Sequence, residues 1–322
     1  MPTIVVSSPM PGRAVGSLSS QGHQVISGDN PAGMGHDALV ACLREHPETE
    51  AVISLLTDKI DAELLQAGPK LRIVANCAVG IDNLDLAELR ARKIVATNTP
   101  GVLTDATADL AFALLLDACR RVSEGDRLVR SGGWTGWAPT QLLGMKVSGA
   151  TLGIIGFGRI GRAVARRASG FGMSVIYYDA HRAPTEAEET LGVKYAPLDE
   201  VIRECDVLTL HCPLTPETRG LLSRDRLASM RKGAVVVNTA RGPCLDEQAL
   251  AELLTSGHLA AAGLDVYQRE PQIHPALLGL QNVVLAPHIG SADRPTRERM
   301  AEMCVEAVTA VLAGRTPNHV VT

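Results

Sequence analysis

The feature that most constrains the fold is a series of short apolar runs, rich in β-branched residues, that alternate with helical patterns. This series occurs twice along the 322 residues. Strands separated by helices form parallel sheets, because each helix returns the chain to the edge where the previous strand began. We therefore expect an α/β fold with two doubly wound parallel-sheet domains. The predicted strands are Ile4–Ser7, Ala51–Leu55, Leu71–Asn76 and Ile94–Thr97 in the first series, and Leu152–Ile155, Ser174–Tyr178, Val207–Leu210, Ala234–Asn238, Ala261–Leu264 and Val283–Leu285 in the second.

Helices are predicted between these strands from their helical patterns of apolar residues. A long helical stretch from Asp105 to about Ser131 separates the two series, and a last helix covers Thr296–Leu312. A single hydrophobic core stops growing at about 250–300 residues, so the chain length also favours two domains. Shorter helices are expected at Leu39–Glu45, Asp58–Gln66 and Leu84–Arg92.

A glycine-rich loop opens the second series. Gly156-Phe-Gly158-Arg159-Ile160-Gly161 follows a predicted strand and leads into a predicted helix. Glycines at this spacing allow a tight turn and let the backbone approach a pyrophosphate, which the helix N-terminus attracts. Asp179 ends the next strand about twenty residues on, where a carboxylate can bind the adenosine ribose hydroxyls. The sequence therefore predicts a dinucleotide site.

The type of dinucleotide follows from the charges near the end of that strand. A carboxylate repels a 2′-phosphate, so Asp179 favours NAD over NADP. Arg182, however, could hold a 2′-phosphate or stack on the adenine, so NADP stays possible. With the dinucleotide site placed, we expect residues 101–289 to form a Rossmann NAD domain. Residues 1–100 and 290–322 should form a flavodoxin-like substrate-binding domain, with a cleft between the two.

Composition argues against several classes of partner. The formal net charge is −4 without a long run of one sign, which speaks against nucleic acid or an anionic membrane as the main partner. The longest apolar run, Leu110–Leu116, is too short to span a bilayer. The N-terminus lacks the pattern of a signal peptide, and the seven cysteines are scattered without zinc spacings. We therefore predict a cytoplasmic protein with reduced thiols and no metal.

Three polar segments follow strands of the second series, where a doubly wound sheet places its ligands. They contribute Arg241, Glu270 and His288. Hydride transfer to a ketone needs a proton donor, and histidine titrates in a suitable range. An arginine fork binds a carboxylate bidentately, and a glutamate beside the histidine would orient it. These residues predict an oxidoreductase that moves a hydride to or from the α-carbon of a small 2-oxo or 2-hydroxy acid.

Together with the glycine loop, these segments resemble the D-isomer-specific 2-hydroxyacid dehydrogenase family. The resemblance extends to Asn76–Asn83 (NCAVGIDN) and Thr97–Val102 (TNTPGV), and it covers nearly the whole chain. Within the family, Thr99–Leu116 and Gly132–Trp137 are most similar to the glyoxylate/hydroxypyruvate reductases. The resemblance implies that His288 is the acid/base, that Glu270 pairs with it and that Arg241 binds the substrate carboxylate and polarises the ketone.

The resemblance also implies roles for backbone groups and for a second subunit. The N–H groups of Val79 and Gly80 would hold the other end of the substrate carboxylate, and Asp265 would receive the nicotinamide carboxamide. Trp137 would reach toward the substrate site of the partner in a homodimer, whose interface would include the helix from Asp105. The predicted substrate contacts are completed by Leu56 and Ser291, and the predicted cofactor contacts by Thr107, Arg159, Ile160, His211, Cys212, Pro213, Thr218, Thr239, Ala240, Arg241, His288 and Gly290.

The identity of the acid and the activity itself have alternatives. The segment Ser54–Thr57 is mostly apolar, which favours a small uncharged substituent as in glyoxylate or hydroxypyruvate. A phosphoglycerate would need extra cations there. Another D-2-hydroxy acid dehydrogenase stays open, as does an NAD-sensing binding protein of the corepressor type, because such proteins keep the same three polar residues.

Overall fold

The computed structural model describes all residues, Met1–Thr322, and they divide into two compact units. The terminal unit consists of Met1–Leu103 and Ser291–Thr322, and the central unit consists of Thr104–Gly290. Every strand pair in both units is parallel. The prediction of two doubly wound parallel-sheet domains is therefore confirmed. None of the helices is both long and apolar enough to cross a membrane.

The terminal unit is built on five strands in the order β2-β1-β3-β4-β5, the order of flavodoxin-like sheets. Helix α13 (Arg294–Leu312), from the end of the chain, packs against β3, β4 and β5. The other elements are β1 (Thr3–Val6), α1 (Ala14–Ser20), β2 (Gln24–Ser27), α2 (His36–Glu45), β3 (Thr49–Ser54), α3 (Ala62–Ala67), β4 (Ile73–Asn76), α4 (Leu86–Ala91) and β5 (Val95–Thr97).

Strand β1 shows why the strands read as continuous apolar runs. Successive side chains point to opposite faces of a sheet. Ile4 and Val6 pack in one core with Val308 of α13, whereas Val5 packs in the other core with Leu39 of α2. Because helices cover both faces, most positions of the inner strands are apolar. Burial of each such side chain contributes about 1.5–3 kcal/mol.

The central unit is built on seven strands in the order β12-β11-β10-β9-β6-β7-β8. The strand order reverses between β6 and β9, as it does in dinucleotide-binding sheets. Its elements are α5 (Thr104–Arg120), α6 (Val122–Arg130), β6 (Thr151–Ile155), α7 (Arg159–Gly170), β7 (Ser174–Tyr178), α8 (Thr185–Leu191), β8 (Val193–Tyr195), α9 (Leu198–Glu204), β9 (Val207–Leu210), α10 (Arg224–Ala228), β10 (Val235–Asn238), α11 (Glu247–Thr255), β11 (Ala261–Leu264), α12 (Pro275–Leu278) and β12 (Val283–Leu285).

Several predicted elements differ from the structure. The long helix is not continuous, because Arg121 adopts a left-handed conformation with φ of 56° and separates α5 from α6. The helix predicted from Asp58 begins later, where the Asp61 side chain accepts the Leu64 N–H and caps α3. Asp58 itself is buried in the preceding loop. The edge strands β2 and β8 were not predicted, because both are short and carry polar residues.

Candidate active site

The polar segments of the second series lie at one edge of the seven-stranded sheet. Because all its strands are parallel, their carboxyl ends share this edge. The edge contains the reversal of strand order between β6 and β9, the place where such sheets bind nucleotides. Taken along the chain, these groups are the glycine loop after β6, Asp179 after β7, His211 after β9, Arg241 after β10, Glu270 after β11 and His288 after β12.

The three glycines of the loop have distinct structural reasons. Gly156 has φ of +92°, and a Cβ there would lie 2.4 Å from the Cys212 nitrogen. A Cβ on Gly161 would lie 2.2 Å from the Gly156 oxygen, so only glycine lets α7 start this close to β6. Gly158, in contrast, meets no atom within 4 Å, which leaves its backbone open to a ligand. Turn, close packing and open approach are the three features that a pyrophosphate loop requires. Arg159 is exposed and Ile160 half-buried at the start of α7.

Asp179 fastens this loop to the end of β7. One of its carboxylate oxygens accepts the Phe157 N–H at 2.6 Å, and the other accepts the His181 N–H at 2.9 Å. The side chain is half-buried, and each oxygen keeps a lone pair. The carboxylate therefore lies beside the glycine loop and retains the capacity to accept hydroxyl hydrogens from a ribose.

His288 and Glu270 form a direct pair. The His288 Nδ1 lies 2.7 Å from Glu270 Oε2, and Glu270 Oε1 accepts the Tyr267 N–H at 3.0 Å. Burial raises the pKa of Glu270, but the hydrogen bond and charge of His288, with smaller contributions from Tyr267 and Arg241, outweigh it and hold the pKa below its ordinary value. The carboxylate is thus ionised at neutral pH, and it orients the imidazole with Nε2 directed away from it.

The backbone around His288 is unusual. His288 has φ of +54°, a left-handed conformation that side chains other than glycine adopt rarely and that occurs often at functional sites. Asp265 fixes this turn: its main-chain oxygen accepts the His288 N–H, and its carboxylate accepts the N–H groups of Ile289 and Gly290. Thr107 of α5 completes the turn by donating to the Gly290 oxygen at 3.0 Å. Asp265, predicted to receive a carboxamide, is buried and already accepts two N–H groups.

Arg241 lies in the loop after β10, which packs closely against the segment after β11 that contains Glu270. The next residue, Gly242, packs so closely that a Cβ would lie 1.9 Å from the Tyr267 carbonyl carbon. The buried Asn238 side chain holds the loop by accepting from Ala240 N–H and donating to the Arg241 oxygen. The positive charge of Arg241 is the smallest of the influences that lower the pKa of Glu270.

The loop after β9 carries neutral groups. Burial lowers the pKa of His211 to about 3, so this imidazole is uncharged at neutral pH. Its Nε2 lies 2.9 Å from the Thr209 hydroxyl oxygen, and its Nδ1 lies 3.5 Å from the Thr239 hydroxyl oxygen. Thr218 donates to the Pro213 oxygen at 2.7 Å and shapes the loop, and Cys212 is buried against the glycine turn. These groups form an uncharged wall beside the glycine loop.

In the terminal unit, Val79 and Gly80 follow β4. Their oxygens accept hydrogen bonds from the side chains of Asn98 at 2.8 Å and Asn76 at 3.0 Å. Neither N–H donates to an acceptor within the protein. Two adjacent N–H groups with their carbonyls turned away are suited to an anion. Leu56 lies on the loop after β3 and is 36% exposed.

A buried amide network connects these two loops of the terminal unit, and sequence reasoning missed it. The side chains of Asn76 and Asn83 bond to each other, with Nδ2–Oδ1 distances of 3.3 and 3.1 Å. Asn83 also donates to the oxygens of Leu55 and Asp58. The two amides therefore hold the Leu56 loop and the Val79–Gly80 loop in one arrangement. The available signal was the asparagine that ends the buried strand β4, since a buried amide needs hydrogen-bond partners.

Two further predicted residues do not join a cluster. Trp137 is 83% exposed, on a segment without helix or strand after α6. Ser291 is half-buried just before α13. The structure thus brings the predicted cofactor residues and the His288–Glu270 pair together in the central unit. It leaves Trp137 without a contact that explains an aromatic residue there.

Comparisons with known proteins agree with this geometry. The sequence model of the D-isomer specific 2-hydroxyacid dehydrogenase NAD binding domain matches residues 112–290. The chain belongs to this family, and it is an NAD(P)-dependent 2-hydroxyacid dehydrogenase.

Individual proteins similar to this chain include a glyoxylate reductase and two solved structures. The chain is 50% identical over 278 residues to a glyoxylate reductase of Thermococcus litoralis, which covers 85% of this chain and 84% of the relative. The structure of the TT0316 protein from Thermus thermophilus superposes with a TM-score of 0.91 at 44% identity, covering 99% of this chain and 100% of that one. An NADPH-dependent glyoxylate/hydroxypyruvate reductase from Sinorhizobium meliloti, crystallised with NADP and malonate, gives a TM-score of 0.87 at 32% identity, covering 100% and 97%.

Proposed function

We propose that this protein reduces glyoxylate or hydroxypyruvate to the corresponding 2-hydroxy acid, with NADH as the preferred cofactor. The observation that carries the proposal is the His288–Glu270 pair, 2.7 Å apart at the sheet edge that also carries the glycine loop. The relatives named glyoxylate reductase and the apolar Leu56 loop support a small uncharged substituent on the substrate.

The chemistry divides among the residues of the central unit. The reduced nicotinamide, when bound, supplies a hydride to the C2 carbonyl carbon. His288 gives its Nε2 proton to the carbonyl oxygen as the C=O π bond breaks, and Glu270 stabilises the charged imidazolium before that transfer. Arg241 binds the substrate carboxylate and polarises the carbonyl. The product is the 2-hydroxy acid, and His288 regains a proton from solvent.

Binding roles for the terminal unit belong to the same proposal. The N–H groups of Val79 and Gly80 would hold a carboxylate oxygen, and Leu56 and Ser291 would contact the substrate. On this assignment residues 1–100 and 290–322 bind the acid, and residues 101–289 bind the dinucleotide. We also propose that the protein works in the reducing environment of the cytoplasm, because all seven cysteines are free.

A steady-state panel tests the proposal. Glyoxylate, hydroxypyruvate, pyruvate and phenylpyruvate are each offered with NADH and with NADPH. We expect the highest kcat/KM with glyoxylate or hydroxypyruvate. Highest activity with phenylpyruvate would contradict the small-substrate assignment. NADH binding without turnover of any acid would instead favour the alternative of an NAD-sensing binding protein.

A further inference from the structure

The turn after β7 contains a cationic side chain near the position where NAD and NADP differ. Arg182 lies three residues beyond Asp179, the carboxylate at the end of β7. In dinucleotide-binding sheets, an arginine near this strand end accommodates the 2′-phosphate of NADP, whereas the carboxylate favours NAD. The chain therefore has both an NAD feature and an NADP feature within one turn, and the side-chain contacts decide between them.

Arg182 is engaged elsewhere. Its Nε donates to Glu188 Oε1 at 2.9 Å and its Nη2 donates to Glu188 Oε2 at 2.8 Å, which is a bidentate pair. The guanidinium carbon also lies 5.3 Å from the centre of the Tyr195 ring. The fork that would grip a phosphate is thus directed at a carboxylate of the protein.

Glu188 is itself anchored. This residue of α8 is 7% exposed, and its Oε1 accepts the hydroxyl hydrogen of Tyr177 at 2.6 Å. Tyr177 is fully buried, and its oxygen accepts the Ala183 N–H at 3.0 Å. The Arg182 side chain, followed by the Tyr177 hydroxyl, lowers the pKa of Glu188 to about 2, so this carboxylate is ionised at neutral pH. Releasing Arg182 would leave a largely buried charge without its counter-ion, which is unfavourable.

We propose that Glu188 determines cofactor specificity by holding Arg182 away from the 2′ position of the adenosine ribose. Asp179 is then the charged group that meets the ribose, and the protein discriminates against NADPH. This inference rests on the proposed cofactor site but concerns a residue of α8 that contacts neither ribose nor nicotinamide in that site. Glu188 is therefore a positioning residue.

The test measures equilibrium binding of NADH and NADPH by titration, without substrate. Glu188→Gln replaces one acceptor oxygen by an N–H donor, so the bidentate pair cannot form and Arg182 is released. We expect NADPH affinity to rise about tenfold, the value of one charge-assisted contact, while NADH affinity changes less than threefold. Glu189→Gln is the matched control, since Glu189 is an exposed neighbour on α8 that makes no side-chain contact with Arg182.

Arg182→Ala gives a second, independent result, because it removes the cation itself, whose side chain is 60% exposed. In the double variant with Glu188→Gln, the charge that would be left without a counter-ion is removed as well. If Glu188 holds Arg182 away, this variant binds NADPH as weakly as the unaltered protein, and it cancels the gain when combined with Glu188→Gln. A loss of NADPH affinity of more than threefold in Arg182→Ala alone would overturn the inference, as would an unchanged NADPH affinity in folded Glu188→Gln. Failure of every variant and of the unaltered protein to bind either nucleotide would instead reject the cofactor site.

Discussion

The acid/base role assigned to His288 gives the sharpest prediction at the scale of single residues. His288→Ala removes the proton donor but leaves the glycine loop and Asp179 intact. We expect kcat for glyoxylate reduction to fall about a thousandfold, within the range of general acid catalysis, while the dissociation constant of NADH changes less than threefold. Steady-state kinetics and nucleotide titration measure the two quantities. His46→Ala, a half-buried imidazole of the terminal unit, is the control and should leave both unchanged.

Glu270, the partner of His288, has a separate effect on the rate. Its pKa lies below its ordinary value, so the carboxylate is charged at neutral pH and holds the Nδ1 side of the His288 ring at 2.7 Å. Glu270→Gln removes this charge, and we expect kcat for glyoxylate reduction to fall about a hundredfold, because the imidazole loses the group that orients it. Steady-state kinetics measure the loss, and an unchanged kcat would exclude this orienting role.

Helix α7 allows a matched comparison at the scale of elements. Gly161 and Gly170 both belong to it, but a Cβ on Gly161 would lie 2.2 Å from the Gly156 oxygen, whereas Gly170 has open space. Gly161→Ala must push the helix away from β6. We expect it to destabilise the protein by about 1–3 kcal/mol and to weaken NADH binding at least tenfold.

The control substitution in the same helix has the opposite sign. Gly170→Ala is expected to be neutral or to stabilise by about 0.4–1 kcal/mol, because alanine restricts the unfolded chain without a clash. Urea unfolding and NADH titration of both variants check the comparison. Equal effects of the two substitutions would show that close packing at the glycine loop does not matter.

In the terminal unit, side-chain amides connect the loops that follow β3 and β4. Asn76 is fully buried, and its side chain joins the ends of β3 and β4 by bonding to Asn83 and accepting the Ser54 hydroxyl at 3.2 Å. A buried amide without a hydrogen-bond partner destabilises the folded state, so loop conformations that break these bonds are unfavourable. Asn76 of this network holds the Gly80 carbonyl, and Asn98 separately holds the Val79 carbonyl, which leaves the N–H groups of both residues available.

At the scale of the whole molecule, the central unit presents apolar side chains that the chain itself does not cover. Helix α6 has no buried residue, and Val122 and Val129 on it are 59% and 57% exposed. Trp134, Trp137 and Leu143 on the following segment are 53%, 83% and 67% exposed. Large exposed apolar side chains concentrated in one stretch of chain are typical of a protein interface. They favour the homodimer that the family resemblance of the sequence predicts.

Charge substitutions on this surface test the assembly. Val129→Glu is expected to convert the dimer to a monomer at micromolar concentration, because it places a charge in an apolar interface. Light scattering after size-exclusion chromatography measures the mass. Leu278→Glu, at an equally exposed leucine on α12, is the matched control and should keep the dimeric mass. A monomeric unaltered protein, or a dimer that survives Val129→Glu, would contradict this interface.

Much of the architecture could be predicted because local signals were strong. Strands such as Val207–Leu210 are buried on both faces, so their apolar runs match the structure at both ends. Weak signals failed for physical reasons. Strand β2 is an edge strand with partly exposed polar positions, and the break at Arg121 depends on a single left-handed residue that composition does not indicate.

By itself, the sequence determined the two parallel sheets, the glycine loop and the residue types at the strand ends, because hydrophobic period and glycine spacing are local properties. Only the tertiary structure decided which polar groups meet. It gave the 2.7 Å distance of the Glu270–His288 pair that the family resemblance had implied, turned the Val79 and Gly80 carbonyls toward two asparagines and directed Arg182 at Glu188. These contacts join residues on different elements or successive loops. Their geometry follows from strand order and packing, which no spacing along the chain specifies.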